Sequence, residues 1–330
     1  MTKKETPKNR TVPFLVIVGP TAVGKTRVSI ELAERIGGEI VSADSRQVYR
    51  FMDIGTAKPA PTDMRRIPHH MIDVVNPDEE YTAADYSRGA HAAIKSIFEK
   101  GRIPIMVGGS GLYIRAVIDG IFPGPGSDTK IREKLEKEAE ESGLSSLYNR
   151  LCKVDPVASS RIHPNDKRRI IRALEVFEVT GRPISSLQEE GKKKEPEYNM
   201  VMIGLNRPRK ELYGRIEERV EEIFQHGFVD EVKGLLREGY EETLISMEAL
   251  GYREVIKFLN GEITLDMAKR QVKQNTCHYA RRQLIWFRKD KRTTWFNIRN
   301  EEKFEETAEK IYQFFHSATT ASGSGTTPST

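Results

Sequence analysis

The sequence predicts an α/β fold: a parallel sheet flanked by helices around a phosphate-binding loop, with an inserted all-helical lobe and a helical C-terminal part. Three observations predict it. Gly19-x-x-x-x-Gly24-Lys25-Thr26 stands between a short apolar run and an amphipathic one. Strand-like and helix-like segments alternate over the first third of the chain, as a βαβ sheet requires. From residue 129 to about 181 only helix-period patterning appears.

Each element has a local reason. "PFLVIVG" (13–19) is a β-branched apolar run stopping at glycine, the pattern of a buried strand. "GKTRVSIELAERIG" (24–37) spaces its apolar residues helically and ends on a glycine cap. "GEIVSADS" (38–45) and "IPIMVGGSG" (103–111) are the second and third strands; between them "TAADYSRGAHAAIKSIFEKG" (82–101) is a helix with a threonine start and a glycine stop. The Pro and Gly residues of "IFPGPGSD" (121–128) mark a boundary. "VMIGL" (201–205) returns to the sheet, which makes 123–198 an inserted helical lobe. The core is then 11–122 with 199–316, and the chain from Arg209 to about Phe315 is read as mostly helical. Residues 1–10 and the low-complexity 317–330 are expected to be disordered.

Composition narrows the function classes. The chain has 330 residues, 38% hydrophobic and 31% charged, in the range of a soluble globular protein. Its longest apolar run, "FLVIV", is far short of the about 20 residues that span a bilayer, so no membrane partner is expected. No apolar segment follows the basic N-terminus, so no secretion signal is read. Two isolated cysteines agree with a reducing compartment and exclude a cysteine-rich zinc module. A cytoplasmic location is expected. The net charge is +5, with basic clusters at 165–172, 191–194, 206–210 and 281–292. Such clusters suit nucleic-acid phosphates or, equally, solvated helix faces.

The loop Gly19, Pro20, Thr21, Ala22, Val23, Gly24, Lys25, Thr26 matches the P-loop pattern with the strand before and helix after that it requires, which makes the sheet P-loop NTPase-like. Its glycines let backbone N–H groups face phosphate oxygens, Lys25 adds a charge, and the Thr26 hydroxyl can meet a metal or an oxygen. The ligand stays open at this level. Nucleotide hydrolases usually place an Mg²⁺-holding Asp at the end of a second apolar strand, and "IPIMV" ends in Gly108-Gly109 instead. Asp44 ends the strand that does carry an acid and should face the loop, or else cap a turn. Arg215 and Arg219, four apart, either grip a phosphate or form a solvated face with Glu217, Glu218 and Glu221. The glycines of "GGSGLY" (108–113) serve a close ligand approach or a tight turn. His69 and His70 point in opposite directions in an extended segment and are read as structural.

The segments "GPTAVGKT", "ADSRQVYRFMDIGTAKP", "PHHMIDVVNPDEEYTAADY", "IPIMVGGSGLYIRAV", "HPNDKRRIIRALEV", "LGYREV" and "RQLIWFR" follow one another in this order. Over about residues 13–296 the chain thereby resembles the bacterial tRNA dimethylallyltransferases. The resemblance implies transfer of a dimethylallyl group from dimethylallyl diphosphate to N6 of adenosine 37, in tRNAs reading codons that begin with U. It implies that the loop holds the donor's diphosphate, that Asp44 is the general base, and that Lys25, Thr26 and Arg219 neutralise the leaving group with Mg²⁺, for which Thr26 is a ligand. It implies contact with the tRNA anticodon stem-loop through Asp44, Ser45, Arg46 and Gln47, through Ser110, Arg132, Arg168, Arg169 and Arg172, and through Gly251, Tyr252, Arg253, Arg281, Arg282, Gln283 and Arg288. Members commonly carry Thr where this chain has Ser110, which keeps the hydroxyl. The family precedent is a monomer. An adenylate dimethylallyltransferase shares loop and base but uses free AMP, ADP or ATP; the inserted lobe and basic C-terminal helices favour tRNA. A small-molecule P-loop kinase fits the glycine-ended third strand poorly.

Overall fold

Parallel strands cannot be joined by hairpins, so the crossovers between them place helices on both faces of the sheet. In the computed structural model, residues 13–122, 124–191, 198–299 and 301–323 are described. The N-terminal part runs β1 (Pro13–Val18), α1 (Lys25–Ile36), β2 (Gly38–Ala43), α2 (Pro61–Arg66), β3 (His69–His70), α3 (Ala83–Glu99), β4 (Ile103–Gly108) and α4 (Gly111–Ile118). Five helices follow: α5 (Thr129–Ser142), α6 (Leu144–Val154), α7 (Pro156–Ser159), α8 (Lys167–Thr180) and α9 (Ile184–Glu190). The chain continues with β5 (Asn199–Asn206), α10 (Arg209–Gln225), α11 (Phe228–Arg237), α12 (Tyr252–Leu259), α13 (Leu265–Phe287), β6 (Thr293–Asn297) and α14 (Phe304–Gly323).

The strand order is β3-β2-β4-β1-β5-β6, with every pairing parallel. Leu15 of β1 stands opposite both Ile105 of β4 and Val201 of β5, so β1 is central. Residues Phe14 to Val18 are wholly buried. Alternation sends Phe14, Val16 and Val18 into one apolar layer with α3 and α4, and Leu15 and Ile17 into the other with α1, α10 and α14. Each such side chain contributes about 1.5–3 kcal/mol by leaving water. The strongest local signal lies in α3, where Thr82 and Asp85 form a reciprocal capping box.

Two strands escape the sequence reading. β3 has only two residues, too few for a periodic signal. β6, "TTWFN", was absorbed into a region read as helical, although its β-branched and aromatic residues suit a strand. The expected boundary at 316 also differs, because α14 continues to Gly323. Ala308, Ile311 and Phe315 bury one side of that helix and anchor it. The rest of the segments expected to be disordered lies outside the described residues.

The chain divides into two compact units: one holds the chain up to Ile118 and from Pro196 onward, the other Asp119–Glu195. The second unit is helical around its own core of Leu135, Leu147, Leu151, Ile170, Leu174 and Val176. Its organising polar group is Glu175, fully buried on α8. One carboxylate oxygen accepts from Asp128 N at 2.7 Å and Arg132 Nε at 2.9 Å, the other from Arg172 Nη1 at 2.8 Å. Arg172 also donates to the carbonyls of Pro125 and Gly126. Burial disfavours the Glu175 charge, but these donors outweigh it and hold the carboxyl below its ordinary value of 4.5.

Glu175→Gln should therefore lower the opening free energy of α8 by about 2 kcal/mol, the scale of charge-assisted hydrogen bonds. Amide hydrogen exchange reads this, with β1 amides as the unaffected control. Since the folded pKa lies below 4.5, the contribution is present above that pH and is lost as pH falls through the folded value.

Candidate active site

The turn from β1 into α1 is built on conformations that few residues adopt. Gly19 has φ +149° and Gly24 φ +111°. A Cβ on Gly19 would lie 2.6 Å from the Leu205 carbonyl oxygen, and one on Gly24 2.6 Å from Phe304 Cε1. Ala22 sits at φ +61°, a left-handed conformation rare outside glycine. Three arginines hold this turn. Arg207 Nε donates to Val23 O at 3.0 Å, Arg215 Nε to Ala22 O at 2.9 Å, and Arg219 Nη1 to the Thr21 hydroxyl at 3.3 Å. Arg215 and Arg219 thus turn onto the loop rather than forming a solvated face, while Glu221 faces Lys269 and Lys273. Arg207 was missed. Within "NRPRK" nothing in one dimension separates it, 3% exposed, from its exposed neighbour Arg209.

Lys25 donates to the carbonyls of Gly19 at 2.9 Å and Pro20 at 2.8 Å. Burial brings its pKa down to about 7; Asp44 opposes that shift and Arg219 adds to it. Burial likewise lowers the pKa of Arg219. Thr26, the next residue, is exposed at the start of α1.

Asp44 follows β2 directly, at the carboxyl end of the sheet as expected. Its Oδ1 accepts from Arg46 N at 2.9 Å, so it also closes a turn. Ser45 N donates to Ser110 Oγ at 2.9 Å, and Ser110 N to Ala43 O at 3.1 Å, which ties this turn to the glycine loop after β4. Arg46 Nη1 donates to Ile245 O at 2.7 Å. Gln47 accepts from the Ser42 hydroxyl at 3.1 Å and donates to the carbonyls of Thr56 and Ala57, both at 3.3 Å. Below the turn Tyr86 donates to Ser42 O at 2.9 Å and stacks on Tyr113, ring centroids 4.0 Å apart. The loop Asp53–Ala57 was given no role in the sequence reading. The Glu231 carboxylate takes the backbone N–H groups of Asp53, Ile54 and Gly55 at 2.6–3.1 Å, and the Tyr252 hydroxyl at 2.6 Å. Arg219 Nη2 reaches Thr56 O at 3.5 Å.

Lys25, Thr26, Asp44, Gln47, Arg219 and Tyr279 line one cleft of about 780 Å³. That volume suits a small ligand with a base-sized partner. Among the described residues no group of three His, Cys, Asp or Glu side chains could hold a metal ion by itself. The Thr26 hydroxyl and Asp44 carboxylate are nevertheless hard oxygen donors on one cleft, a set that fits Mg²⁺ shared with phosphate oxygens and water. The histidines are structural, as read: His69 Nδ1 lies 2.7 Å from Ile67 O, and His70 Nε2 lies 2.7 Å from Glu39.

The remaining expected RNA contacts separate by exposure. Arg168, Arg169, Arg253, Arg281, Arg282 and Arg288 are exposed. Arg132 and Arg172 are engaged with Glu175. Two of the expected contacts are buried. Tyr252 is fully buried, its ring edge-on to Phe228 and its hydroxyl on Glu231, so it supports the Asp53–Ala57 loop. Gln283 is 6% exposed and both of its amide atoms are engaged within the protein. Gly251, at φ +98°, opens α12 where a side chain would crowd Phe228.

A parallel sheet whose central strand feeds an arginine-braced loop, with a carboxylate lining the same cleft, defines a P-loop-like α/β protein. The chain belongs to the IPP transferase family, whose pattern matches residues 47–290. It is 49% identical to the tRNA dimethylallyltransferase of Geobacter metallireducens, over 95% of this chain and 100% of that one. With the enzyme of that name from Thermotoga petrophila it shares 50%, over 86% and 92%. Among solved structures it resembles the tRNA isopentenylpyrophosphate transferase of Bacillus halodurans, with TM-score 0.71, 41% identity, and 95% and 98% coverage. It also resembles a eukaryotic dimethylallyltransferase acting on tRNA, with TM-score 0.75, 27% identity, and 91% and 77% coverage.

With its pKa near 7, Lys25 is charged below neutrality and loses its proton as pH rises above about 7. An anion in the loop favours the charged form, so binding above pH 7 takes up a proton and weakens with pH, by up to about tenfold per unit. Calorimetric titration of inorganic diphosphate between pH 6.5 and 9 should show this dependence in wild type beyond what Lys25→Ala shows. Equal pH slopes in the two proteins would remove Lys25 from the anion site.

Proposed function

We propose that this enzyme is a tRNA dimethylallyltransferase, taking its prenyl group from dimethylallyl diphosphate and placing it on N6 of adenosine 37. The observation that carries the reading is the meeting of the arginine-braced loop and Asp44 in one cleft. The donor's diphosphate lies in the loop against backbone N–H groups and Lys25. Adenine leaves its stack and enters beside Asp44 and Gln47. The N6 lone pair attacks the allylic C1, the C1–O bond breaks, and its electron pair leaves on diphosphate. Asp44 takes the N6 proton, which keeps the nucleophile electron-rich as the new bond forms. Lys25, Arg219 and Thr26 neutralise charge growing on the leaving group, where fixed cations act with little reorganisation. Thr26 would hold Mg²⁺, which when bound would supply further neutralisation of the diphosphate.

The exposed Arg168, Arg169, Arg281, Arg282 and Arg288 supply phosphate contacts to the anticodon stem-loop. No helix among the described residues is long and apolar enough to cross a membrane. In this reading the enzyme works on tRNA in the cytoplasm, as a monomer like the family precedent.

Incubation with labelled dimethylallyl diphosphate tests the reading, offering an unmodified tRNA with adenosines at 36–38 or free AMP. Label at adenosine 37 alone is expected. Label on AMP would assign an adenylate dimethylallyltransferase, and transfer to neither would return the site to phosphoryl chemistry. Asp44→Ala should lower turnover by about 10²–10⁴-fold with tRNA affinity little changed; unaltered turnover would remove it as the base. Arg281→Ala should weaken tRNA binding and flatten its dependence on salt by about one phosphate contact, measured by filter binding across salt concentrations.

A further inference from the structure

Helix α13 carries exposed arginines at 281, 282 and 288, while Gln283 among them is buried. Tyr279, Gln283 and Trp286 recur at helical spacing and fall on one stripe. All three meet the glycine loop after β4. The Tyr279 hydroxyl shares a hydrogen bond with Ser110, and burial raises its pKa to about 12. Gln283 Nε2 donates to Gly109 O at 3.0 Å. The Trp286 indole lies so close to Gly111 that a Cβ there would come within 2.2 Å of Nε1. Gln283 makes one further bond: its Oε1 accepts the backbone N–H of Thr21 at 2.8 Å.

That bond joins segments 262 residues apart. Thr21 is the loop residue whose hydroxyl also meets Arg219. One buried amide thus connects the phosphate loop after β1 to the glycine loop after β4. Through Ser110, the glycine loop holds Ser45, next to Asp44. Both ends of the Gln283 amide are needed, since one accepts and the other donates.

Resting on the reading under Proposed function, we propose that Gln283 is a positioning residue for donor binding. It fixes the Thr21 peptide of the phosphate loop against the glycine loop and makes no contact with RNA. Its removal frees the Thr21 N–H to turn, so the loop must be ordered by the ligand at the expense of affinity. Glu at 283 keeps an acceptor for Thr21 but loses the donor to Gly109, and Leu loses both. Gly109→Ala gives an independent route to the same defect. A Cβ at 109 would lie 2.1 Å from Gln283 Nε2, which displaces the amide while leaving glutamine in place.

The test measures the affinity of inorganic diphosphate and of tRNA separately, by calorimetry and filter binding, for wild type, Gln283→Leu, Gln283→Glu, Gly109→Ala and the Gln283→Leu/Gly109→Ala double variant. Thermal unfolding confirms that each is folded. Diphosphate affinity should fall about tenfold in Gln283→Leu and Gly109→Ala, less in Gln283→Glu, and no further in the double variant, with tRNA affinity within about twofold of wild type. In turnover assays the loss should appear in KM for the donor more than in kcat. A fall in tRNA affinity with unchanged diphosphate affinity would overturn the proposal and make Gln283 an RNA contact. Additive losses in the double variant would overturn it too, because Gln283 and Gly109 would then act separately. Diphosphate binding needs no prenyl acceptor, so failure of the wild type to modify tRNA would count against the proposed activity and leave this measurement standing.

Discussion

The site depends on keeping a conformationally costly turn in one shape. Its origin is fixed by β1, whose five buried side chains lock into both apolar layers of the sheet. Its path requires positive φ at Gly19, Ala22 and Gly24, conformations that disfavour a folded loop in isolation. The surrounding structure holds it: Arg207, Arg215 and Arg219 bond three successive positions, and Gln283 takes the Thr21 N–H. On the proposed reading an anion arriving there would meet a loop already in shape, so little of its binding energy would go into ordering the chain.

Holding the loop this way concentrates positive charge in a buried place. Burial lowers the pKa values of both Lys25 and Arg219; Arg219 lowers that of Lys25 further, and Arg215 that of Arg219. Within the cleft Asp44 favours both charges. On the proposed reading an incoming diphosphate would relieve what the protein alone leaves uncompensated, so electrostatics that weaken the ligand-free site would favour the bound one. In the proposed reaction the same Asp44 takes the proton of the acceptor amine, which would link donor and acceptor chemistry electrostatically.

Much of the site was legible in one dimension because short-range chemistry wrote it. The P-loop, the acid after β2 and the glycines after β4 each lie at strand ends, where local sequence dictates the turn. What sequence reasoning missed came from far away in the chain. Arg207 reaches Val23 across 184 residues, and Glu231 reaches Ile54 across 177. Tyr252 and Gln283 sit in segments that the resemblance assigns to RNA contact, yet both side chains are buried. Burial is something no motif records.

The sequence by itself determined the alternation of strands and helices, the inserted helical unit, the phosphate loop and the acid placed to face it. Each follows from periodicity, capping or turn chemistry acting over a few residues. The tertiary structure alone decided the strand order, the addition of the short β3 and β6, and the turning of Arg215 and Arg219 onto the loop rather than into solvent. It alone showed one glutamine joining the two loops. Those outcomes depend on which surfaces meet after the sheet has formed, and residues hundreds of positions apart carry no local pattern that announces their contact.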